Sequence, residues 1–241
     1  MKKVLITGAN KSIGFETAKQ LLAKGYFVYL GSRNLAKGEE AVAKLKTDGN
    51  ENIKAIQIDV TNPASVAAAR KQIDALDVLI NNAGISGGFP QSTKDITVDQ
   101  FKEVFETNVF GVVSVTQSFI DLLNKSDEPR IVNVTSGLGS LTLHSDPSWK
   151  YYNIKSAAYG PSKTALNAYT VVLAHELKNT AFKINAVDPG YTATDFNHHN
   201  GPGSVEDAAK IIVKYATVDA DGPTGKYFSN DIDDESQESP W

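Results

Sequence analysis

The chain has 241 residues, of which 41% are hydrophobic and 22% are charged, a balance typical of a soluble globular protein. The formal net charge of -4 excludes a strongly basic surface of the kind that binds nucleic acid or an anionic membrane. The sequence contains no cysteine, which excludes disulfides, thiolate metal sites and a cysteine nucleophile.

The start of the chain carries two lysines before an apolar run that is too short for a signal peptide. No later segment reaches the length of a membrane span. We therefore expect a cytoplasmic protein without a membrane or nucleic-acid partner. Because no linker, repeat or shift in composition interrupts the chain, we predict one domain over 1–241.

Short runs rich in β-branched residues alternate along the chain with longer helical patterns. Most runs are almost continuously apolar, as strands buried on both faces are. In chain order they are KVLIT, FVYLG, IKAIQIDV, DVLIN, RIVNVTS, KINAVD and GKYFS. The helical patterns are Ile13–Lys24, Leu35–Lys46, Pro63–Ile73, Val98–Leu123, Ala157–Lys178 and Val205–Ala216. The alternation predicts an α/β fold, a Rossmann-like doubly wound parallel sheet with helices on both faces. The polar, acidic segment 232–241 is interpreted as a solvated tail.

The first turn, TGANKSIG at 7–14, places Gly8 and Gly14 between a strand and a helix. Gly8 can adopt a positive φ, and Gly14 allows the helix to pack close to the strand. The N-terminus of the next helix offers unpaired N–H groups and a partial positive charge, which suit a pyrophosphate. The spacing is not G-x-G-x-x-G, however, and ordinary turn chemistry explains the same letters equally well.

The charges near this turn indicate which dinucleotide would bind. An acidic residue after the second strand would bond a ribose 2′-hydroxyl, but here the strand ends in YLGSRN, with Arg33 and no acid. Lys11 lies in the first turn. Two cations near one ribose suit the 2′-phosphate that distinguishes NADP from NAD. The alternative is that both are solvated surface charges.

With the later motifs, these residues resemble the short-chain dehydrogenase/reductase family, and within it the NADPH-dependent carbonyl reductases. The resemblance covers nearly the whole chain. Its markers are TGANKSIG, NNAG at 81–84, Asn108 in FETNVFG, Ser136 in IVNVTSG, YGPSK at 159–163 and DPGYTATD at 188–195. It implies an NADPH-dependent oxidoreductase that reduces ketones or aldehydes to alcohols. Ser12 departs from the pattern, because the family has its middle glycine there.

The resemblance also implies which residues hold NADPH. Asp59 and Val60 are expected at the adenine, and the NNAG residues at the adenosine ribose and backbone. Pro189, Gly190, Thr192 and Thr194 are expected on the nicotinamide side. The complete expected set is Gly8, Asn10, Lys11, Ser12, Ile13, Gly14, Arg33, Asp59, Val60, Asn81, Asn82, Ala83, Gly84, Tyr159, Lys163, Pro189, Gly190, Thr192 and Thr194. NNAG also has a plain interpretation as a turn that ends a strand.

Tyr159 and Lys163 are four residues apart, so on a helix they share a face. Pro161 is tolerated only in a first helical turn, which predicts that Tyr159 lies at the helix start. A lysine cation and the helix dipole both favour phenolate, so we predict that they lower the pKa of Tyr159. Such a tyrosine can donate a proton to a carbonyl oxygen as hydride arrives from the nicotinamide. A bare Y-x-x-x-K, by contrast, fits any amphipathic helix surface.

Two further polar side chains complete the expected catalytic set of Asn108, Ser136, Tyr159 and Lys163. Ser136 follows a strand and can bond the substrate oxygen; Thr135 is the competing hydroxyl, and the family position selects Ser136. Asn108 lies inside a predicted helix, where asparagine has low propensity. By resemblance it positions a water in a proton relay with Lys163, whereas a solvent-facing asparagine is the alternative.

The substrate is expected to be a small, hydrophobic carbonyl compound held by the loops 86–96, 138–158 and 191–204. An apolar wall is predicted from Phe89, Leu138, Leu141, Trp149, Tyr152 and Tyr191. The segment after Thr194 is short, which predicts an open site without much of a lid. His144 is a candidate for the substrate mouth, and His198 and His199 are interpreted as loop residues, so no metal site is expected.

Three points stay open at this level. A homodimer, a homotetramer and a monomer are all compatible with the sequence. An NADP-sensing regulatory protein would share the cofactor site without turnover, although it has no need of a proton donor. An epimerase or dehydratase can share the Y-x-x-x-K pair, but these enzymes usually carry a separate C-terminal substrate domain.

Overall fold

A parallel β-sheet runs through the centre of the molecule. The computed structural model describes residues 1–47, 49–89, 91–232 and 235–241. The strands are β1 (Lys3–Ile6), β2 (Phe27–Ser32), β3 (Ile53–Gln57), β4 (Val78–Asn81), β5 (Arg130–Val134), β6 (Lys183–Asp188) and β7 (Tyr227–Ser229). They form one seven-stranded sheet in the order β3-β2-β1-β4-β5-β6-β7, with every neighbouring pair parallel. The predicted α/β class is confirmed.

Helices cover both faces of this sheet. They are α1 (Ser12–Ala23), α2 (Leu35–Thr47), α3 (Pro63–Arg70), α4 (Val98–Phe105), α5 (Gly111–Leu123), α6 (Leu141–Ser145), α7 (Tyr159–Glu176) and α8 (Val205–Ala216). Side chains alternate along each strand, so Val4 and Ile6 pack towards α1, α2 and α8. Leu5 packs on the opposite face, towards α3 and α5. The chain order reverses between β1 and β4, which opens a crevice beyond the carboxyl ends of the strands.

The helix predicted over Val98–Leu123 is wrong as a single element. A π-helical turn at Glu106–Phe110 separates α4 from α5. Asn108 lies in this turn, and its side chain bonds the backbone of Ile85 instead of facing solvent. One extra residue per turn points the asparagine inward, and π-bulges of this kind are frequent at functional sites.

The end of the chain also differs from the solvated tail that was predicted for 232–241. The Ser239 amide donates to the Tyr227 carbonyl over 2.8 Å, and the Trp241 ring packs on the Tyr227 ring with centroids 5.6 Å apart. Residues 235–241 therefore lie along β7, because this short strand at the edge of the sheet leaves backbone groups to pair. Positions 233 and 234 of that segment lie outside the described residues.

Candidate active site

The first turn is closed by contacts that leave no room for larger residues. Gly8 has a φ of 64°, and a Cβ atom on Gly14 would lie 2.6 Å from Asn82 Nδ2 and 2.8 Å from the Gly8 carbonyl oxygen. The Asn82 amide donates to the carbonyls of Thr7 and Gly8 over 2.9 and 3.0 Å. The end of β4 thus holds the first turn against the start of α1. The NNAG motif has the structural role that its plain interpretation assigned.

The N-terminus of α1 fits a phosphate group. Lys11 is the N-cap residue and makes no side-chain cap bond, and the first turn of this helix contains no acidic residue. The first amides of a helix have no partner within the helix, and they carry a partial positive charge. The residues present therefore fit a dinucleotide pyrophosphate at this position.

Ser12 begins this helix with a φ of 52°, in the left-handed region that favours glycine. We expect Ser12→Gly to raise the free energy of unfolding by about 1 kcal/mol, because the strain of a non-glycine residue is removed. Urea denaturation followed by circular dichroism measures the change. As a control, Ser114→Gly inside α5 should lower stability, since glycine in a helix costs conformational entropy. A Ser12→Gly protein less stable than the parent would contradict the assigned backbone strain.

The two cations expected at a 2′-phosphate lie on the surface near the crevice. The Arg33 side chain is exposed directly after β2. Lys11 forms an ion pair with Asp195, at 2.9 Å between Nζ and Oδ2. Asp195 also accepts from His199 Nε2 at 3.0 Å. Lys11 must therefore exchange one anionic partner for another if it binds a phosphate, and exposed pairs of this kind are weak enough to exchange.

Tyr159, Lys163 and Ser136 meet beyond the ends of β4 and β5. Tyr159 begins α7 as predicted, and Lys163 lies one turn later with its Nζ 5.6 Å from the centre of the tyrosine ring. This ammonium donates to the Val134 carbonyl over 2.9 Å. The Ser136 hydroxyl acts on the Tyr159 phenol in the direction that lowers its pKa, so it favours phenolate.

The predicted lowering of the Tyr159 pKa is wrong in sign. Burial of the phenol raises its pKa well above the ordinary value, against the effect of Ser136, and the negative charge of Asp188 raises it further. The lysine that was expected to lower the phenol pKa is itself buried, and this burial lowers the pKa of Lys163 to about 8. Burial is the largest effect on the phenol, because removal from water disfavours its charged form.

Asn108 and Lys163 approach each other across Gly84. A Cβ atom on Gly84 would lie 3.3 Å from Asn108 Oδ1 and 3.5 Å from Lys163 Nζ. The Asn108 side chain is fully buried, accepts from the Ile85 amide and donates to the Ile85 carbonyl, both over 2.9 Å. The solvent-facing alternative for Asn108 is thereby excluded.

Thr135 does not compete with Ser136 for the crevice. Its hydroxyl donates to Asn167 Oδ1 over 2.7 Å, and the whole residue is buried. Ser136 Oγ instead accepts from the Leu138 amide at 3.3 Å and remains beside Tyr159. Ser136, which the family resemblance selects, is therefore the one of the two hydroxyl residues that lies beside Tyr159.

The other expected cofactor residues are placed unequally. The Asn81 side chain points into the sheet, where it donates to Thr116 Oγ1 and Asn133 Oδ1, so it does not line the crevice. Asp59 Oδ1 accepts hydrogen bonds from the backbone amide and the hydroxyl of Thr61. The residues that surround the crevice at strand ends and in the following turns are Gly8, Asn10, Ile13, Gly14, Val60, Asn82, Ala83, Gly84, Pro189, Gly190, Thr192 and Thr194.

Aromatic rings cover Tyr159, which corrects the expectation of an open site. Phe196 lies 5.3 Å and Phe89 lies 6.2 Å from the Tyr159 ring, measured between centroids. The segment after Thr194 is short, but it forms a tight turn at Asp195–Asn197 that places Phe196, which is still 38% exposed, against the Tyr159 ring. A second row of contacting rings runs from His144 through Trp149 and Tyr151 to Tyr191.

Two residues at the site were missed by the sequence analysis. The Gln91 side chain accepts from the amides of Ala158 and Tyr159 at 3.1 and 3.2 Å, so it caps the helix that carries the tyrosine. Asp188 is a buried carboxyl group directly after Val187 in β6. Nothing in the sequence around Gln91 indicates that this loop residue caps a helix that begins 68 residues later. Asp188 is the first residue of the DPGYTATD marker, and nothing in the local sequence indicates that its carboxyl group is buried.

Among the described residues, no group of three histidine, aspartate or glutamate side chains is placed to hold a metal ion. His198 and His199 both have positive φ and lie in the turn after Asp195–Asn197. Within the ranges that the structure describes, no helix is long and apolar enough to cross a bilayer.

Comparison with known proteins defines the class. Residues 2–204 match the sequence model of the short chain dehydrogenases. A (+)-neomenthol dehydrogenase of Capsicum annuum is 34% identical, over 93% of this chain and 94% of the relative. The chain therefore belongs to the short-chain dehydrogenase family, whose members are oxidoreductases that use nicotinamide cofactors, and the predicted resemblance is confirmed.

Two solved structures are similar over almost their full length. The structure of salutaridine reductase from Papaver somniferum superposes with a TM-score of 0.82 at 32% identity, covering 95% of this chain and 100% of that one. The structure of ElxO with NADP bound gives a TM-score of 0.81 at 30% identity, covering 95% of this chain and 96% of that one. Each is a protein to which this chain is similar.

Proposed function

We propose that the protein is an NADPH-dependent reductase that converts ketones or aldehydes to alcohols, with Tyr159 as the proton donor. The observation that carries the proposal is the meeting of the Tyr159 phenol, the Ser136 hydroxyl and the Lys163 ammonium beside a helix N-terminus that fits a phosphate. A protein that only senses the cofactor has no need of this arrangement.

The raised pKa of Tyr159 suits a proton donor in the direction of reduction. Burial keeps the phenol protonated throughout the neutral range. The alkoxide that forms when a carbonyl is reduced is a much stronger base than phenolate, so proton transfer from tyrosine is downhill even with a raised phenol pKa. Ser136 bonds the same oxygen and stabilises its developing negative charge.

The bound nicotinamide would supply the hydride that reduces the carbonyl carbon. Lys163, anchored on the Val134 carbonyl, has further N–H donors with which to hold the nicotinamide ribose. The first amides of α1 bind the pyrophosphate, and Arg33 and Lys11 bind the 2′-phosphate that selects NADPH over NADH. Asn108 holds the Ile85 backbone beside Lys163 and contributes to the proton path.

The substrate is proposed to be a hydrophobic ketone or aldehyde. Phe89 and Phe196 flank the tyrosine, and Trp149 and Tyr191 extend the apolar surface along the second row of rings. Tyr152, which was also expected in the apolar wall, instead has the ammonium of Lys155 4.2 Å from its ring centre. Such a surface recovers hydrophobic free energy from an aryl or alkyl ketone and offers little to a charged sugar. Relatives named for neomenthol and salutaridine support this choice.

A panel of carbonyl compounds tests the proposed function. Loss of the NADPH absorbance band should accompany formation of one alcohol per cofactor oxidised, fastest for apolar aryl or alkyl ketones. Sugar phosphates of the same size serve as the matched comparison. Tight NADPH binding without turnover across the panel would favour the sensor, and preference for a sugar phosphate would contradict the apolar substrate.

The pH dependence of reduction follows from the lowered pKa of Lys163. Its ammonium is present below a pKa of about 8 and is lost as the pH rises through that value. We expect kcat/KM for ketone reduction to be level near neutrality and to fall above about pH 8. Initial rates between pH 6 and 10 in buffers of constant ionic strength measure this profile. A level profile up to pH 10 would show that the charge of Lys163 is not required.

A further inference from the structure

Asp188 holds three segments of the site together. Its Oδ1 accepts from the Gly190 amide over 3.0 Å and its Oδ2 accepts from the Ser229 hydroxyl over 2.6 Å. The backbone amide of Gly137 donates to the same carboxyl group. These donors come from the turn after β6, from the end of β7 and from the turn after β5. Hydrogen bonds to a charged acceptor are about twice as strong as neutral ones.

The donor in the turn after β5 connects Asp188 to the proposed oxygen-binding hydroxyl. Gly137 directly follows Ser136, and a Cβ atom on Gly137 would lie 3.3 Å from Asp188 Oδ2. The Tyr227 hydroxyl fixes the other side by donating to the Ser136 carbonyl over 2.9 Å. Ser136 is therefore held through its own carbonyl and through the next amide, and the second of these contacts depends on Asp188.

Asp188 lies near the Lys163 ammonium, because it directly follows Val187, which pairs in the sheet with Val134, the residue whose carbonyl binds that ammonium. The negative carboxylate raises the pKa values of Lys163 and Tyr159, so it favours ammonium and neutral phenol. Burial and the charge of Asp231 raise the pKa of Asp188 itself to about 6. The titratable groups around it on the neighbouring elements are Lys163 and Tyr159 of α7, Tyr227 of β7, Asp231 after β7 and Tyr151 before α7.

Resting on the reductase function proposed above, we propose that Asp188 is a positioning residue that ties the ends of β5, β6 and β7 together and serves as the buried counter-charge of Lys163. Its hydrogen bonds fix the turn that carries Ser136 and the turn that carries Gly190. Its charge favours the ammonium form of Lys163, whereas burial favours the neutral amine.

Titration of Lys163 by NMR tests the inference without needing turnover. The full-length protein is labelled with ¹³C at the lysine ε carbons, and Lys163→Arg assigns the resonance. We expect the lysine to titrate near pH 8 in the parent protein. In Asp188→Asn it should titrate about half a pH unit lower or more, because a nearby negative charge is gone. The alkaline limit of ketone reduction should move by the same amount.

Ser229→Ala is the matched control, because it removes one hydrogen bond to the carboxyl group and leaves its charge. Its lysine titration and alkaline limit should stay where they are in the parent protein, even if its turnover falls. If Asp188→Asn does not fold, the parent protein still gives the test. The Lys163 resonance should then show a second, small inflection near pH 6, where Asp188 titrates.

An unchanged lysine titration in folded Asp188→Asn overturns the inference, as does the absence of the inflection near pH 6 in the parent protein. A shift of the same size in Ser229→Ala would also overturn it, since the effect would then come from structure and not from charge. A shifted lysine titration in a chain that reduces no carbonyl supports the electrostatic coupling and overturns the proposed function instead.

Discussion

Tyr159→Phe should abolish ketone reduction while leaving NADPH binding intact. The substitution removes only the hydroxyl group, whose pKa Ser136 acts to lower and which is the proposed proton donor. General acid catalysis contributes about 10²–10⁴-fold, so we expect kcat to fall by about 10³-fold. The buried ring stays between Phe89 and Phe196, which preserves the packing around it. Single-turnover absorbance measures the hydride step, and quenching of protein fluorescence by NADPH measures binding.

Tyr169→Phe is the control for this experiment. It makes the same chemical change on the same helix, ten residues further along α7 from Tyr159. We expect its turnover to stay close to that of the parent protein. Tyr159→Phe with parental turnover would remove the tyrosine from the chemistry. Loss of NADPH binding in that variant would instead assign the hydroxyl to cofactor binding.

Arg33→Asp combined with Lys11→Ala should shift cofactor preference from NADPH to NADH. The double change removes two cations near the proposed 2′-phosphate and adds a repulsive charge. Charge-assisted hydrogen bonds contribute about 1.5–3 kcal/mol each, so we expect kcat/KM for NADPH to fall by at least about 100-fold. The value for NADH should change little. The ratio of kcat/KM for NADPH to kcat/KM for NADH, measured with one ketone, gives the change in cofactor preference.

Lys125→Asp combined with Lys178→Ala makes the same change in net charge at the other end of the sheet. Both lysines are exposed, Lys125 just after α5 and Lys178 just after α7. This control should leave the cofactor ratio unaltered. Equal use of NADPH and NADH by the parent protein, or an unchanged ratio in the Arg33 and Lys11 variant, would contradict the assigned role of the two cations.

Local spacing was enough to predict the architecture and the position of Tyr159. Buried strands in a parallel sheet have apolar runs that stand out from helical patterns, and Pro161 fixes the start of α7. The turn at Gly8 and Gly14 was also predictable, because two glycines stand between a strand run and a helical pattern. These features depend on residues that are near one another in sequence.

The features that could not be predicted depend on distant contacts. The sign of the Tyr159 pKa shift follows from the burial of the phenol, and that burial depends on segments far apart in the chain, among them those that carry Phe89 and Phe196. Gln91 caps α7 across 67 residues. The π-helical turn around Asn108 occurs where its side chain bonds the Ile85 backbone, a contact across 23 residues.

The central claim is that a buried, protonated phenol faces the nicotinamide beside a lysine cation. A crystal structure of the complex with NADP and a ketone analogue tests it most directly. The account predicts the Tyr159 and Ser136 hydroxyls on the analogue oxygen, the Lys163 ammonium on the nicotinamide ribose and the 2′-phosphate between Arg33 and Lys11. A Tyr159 hydroxyl turned away from the nicotinamide, with the lysine remote from the ribose, would contradict it.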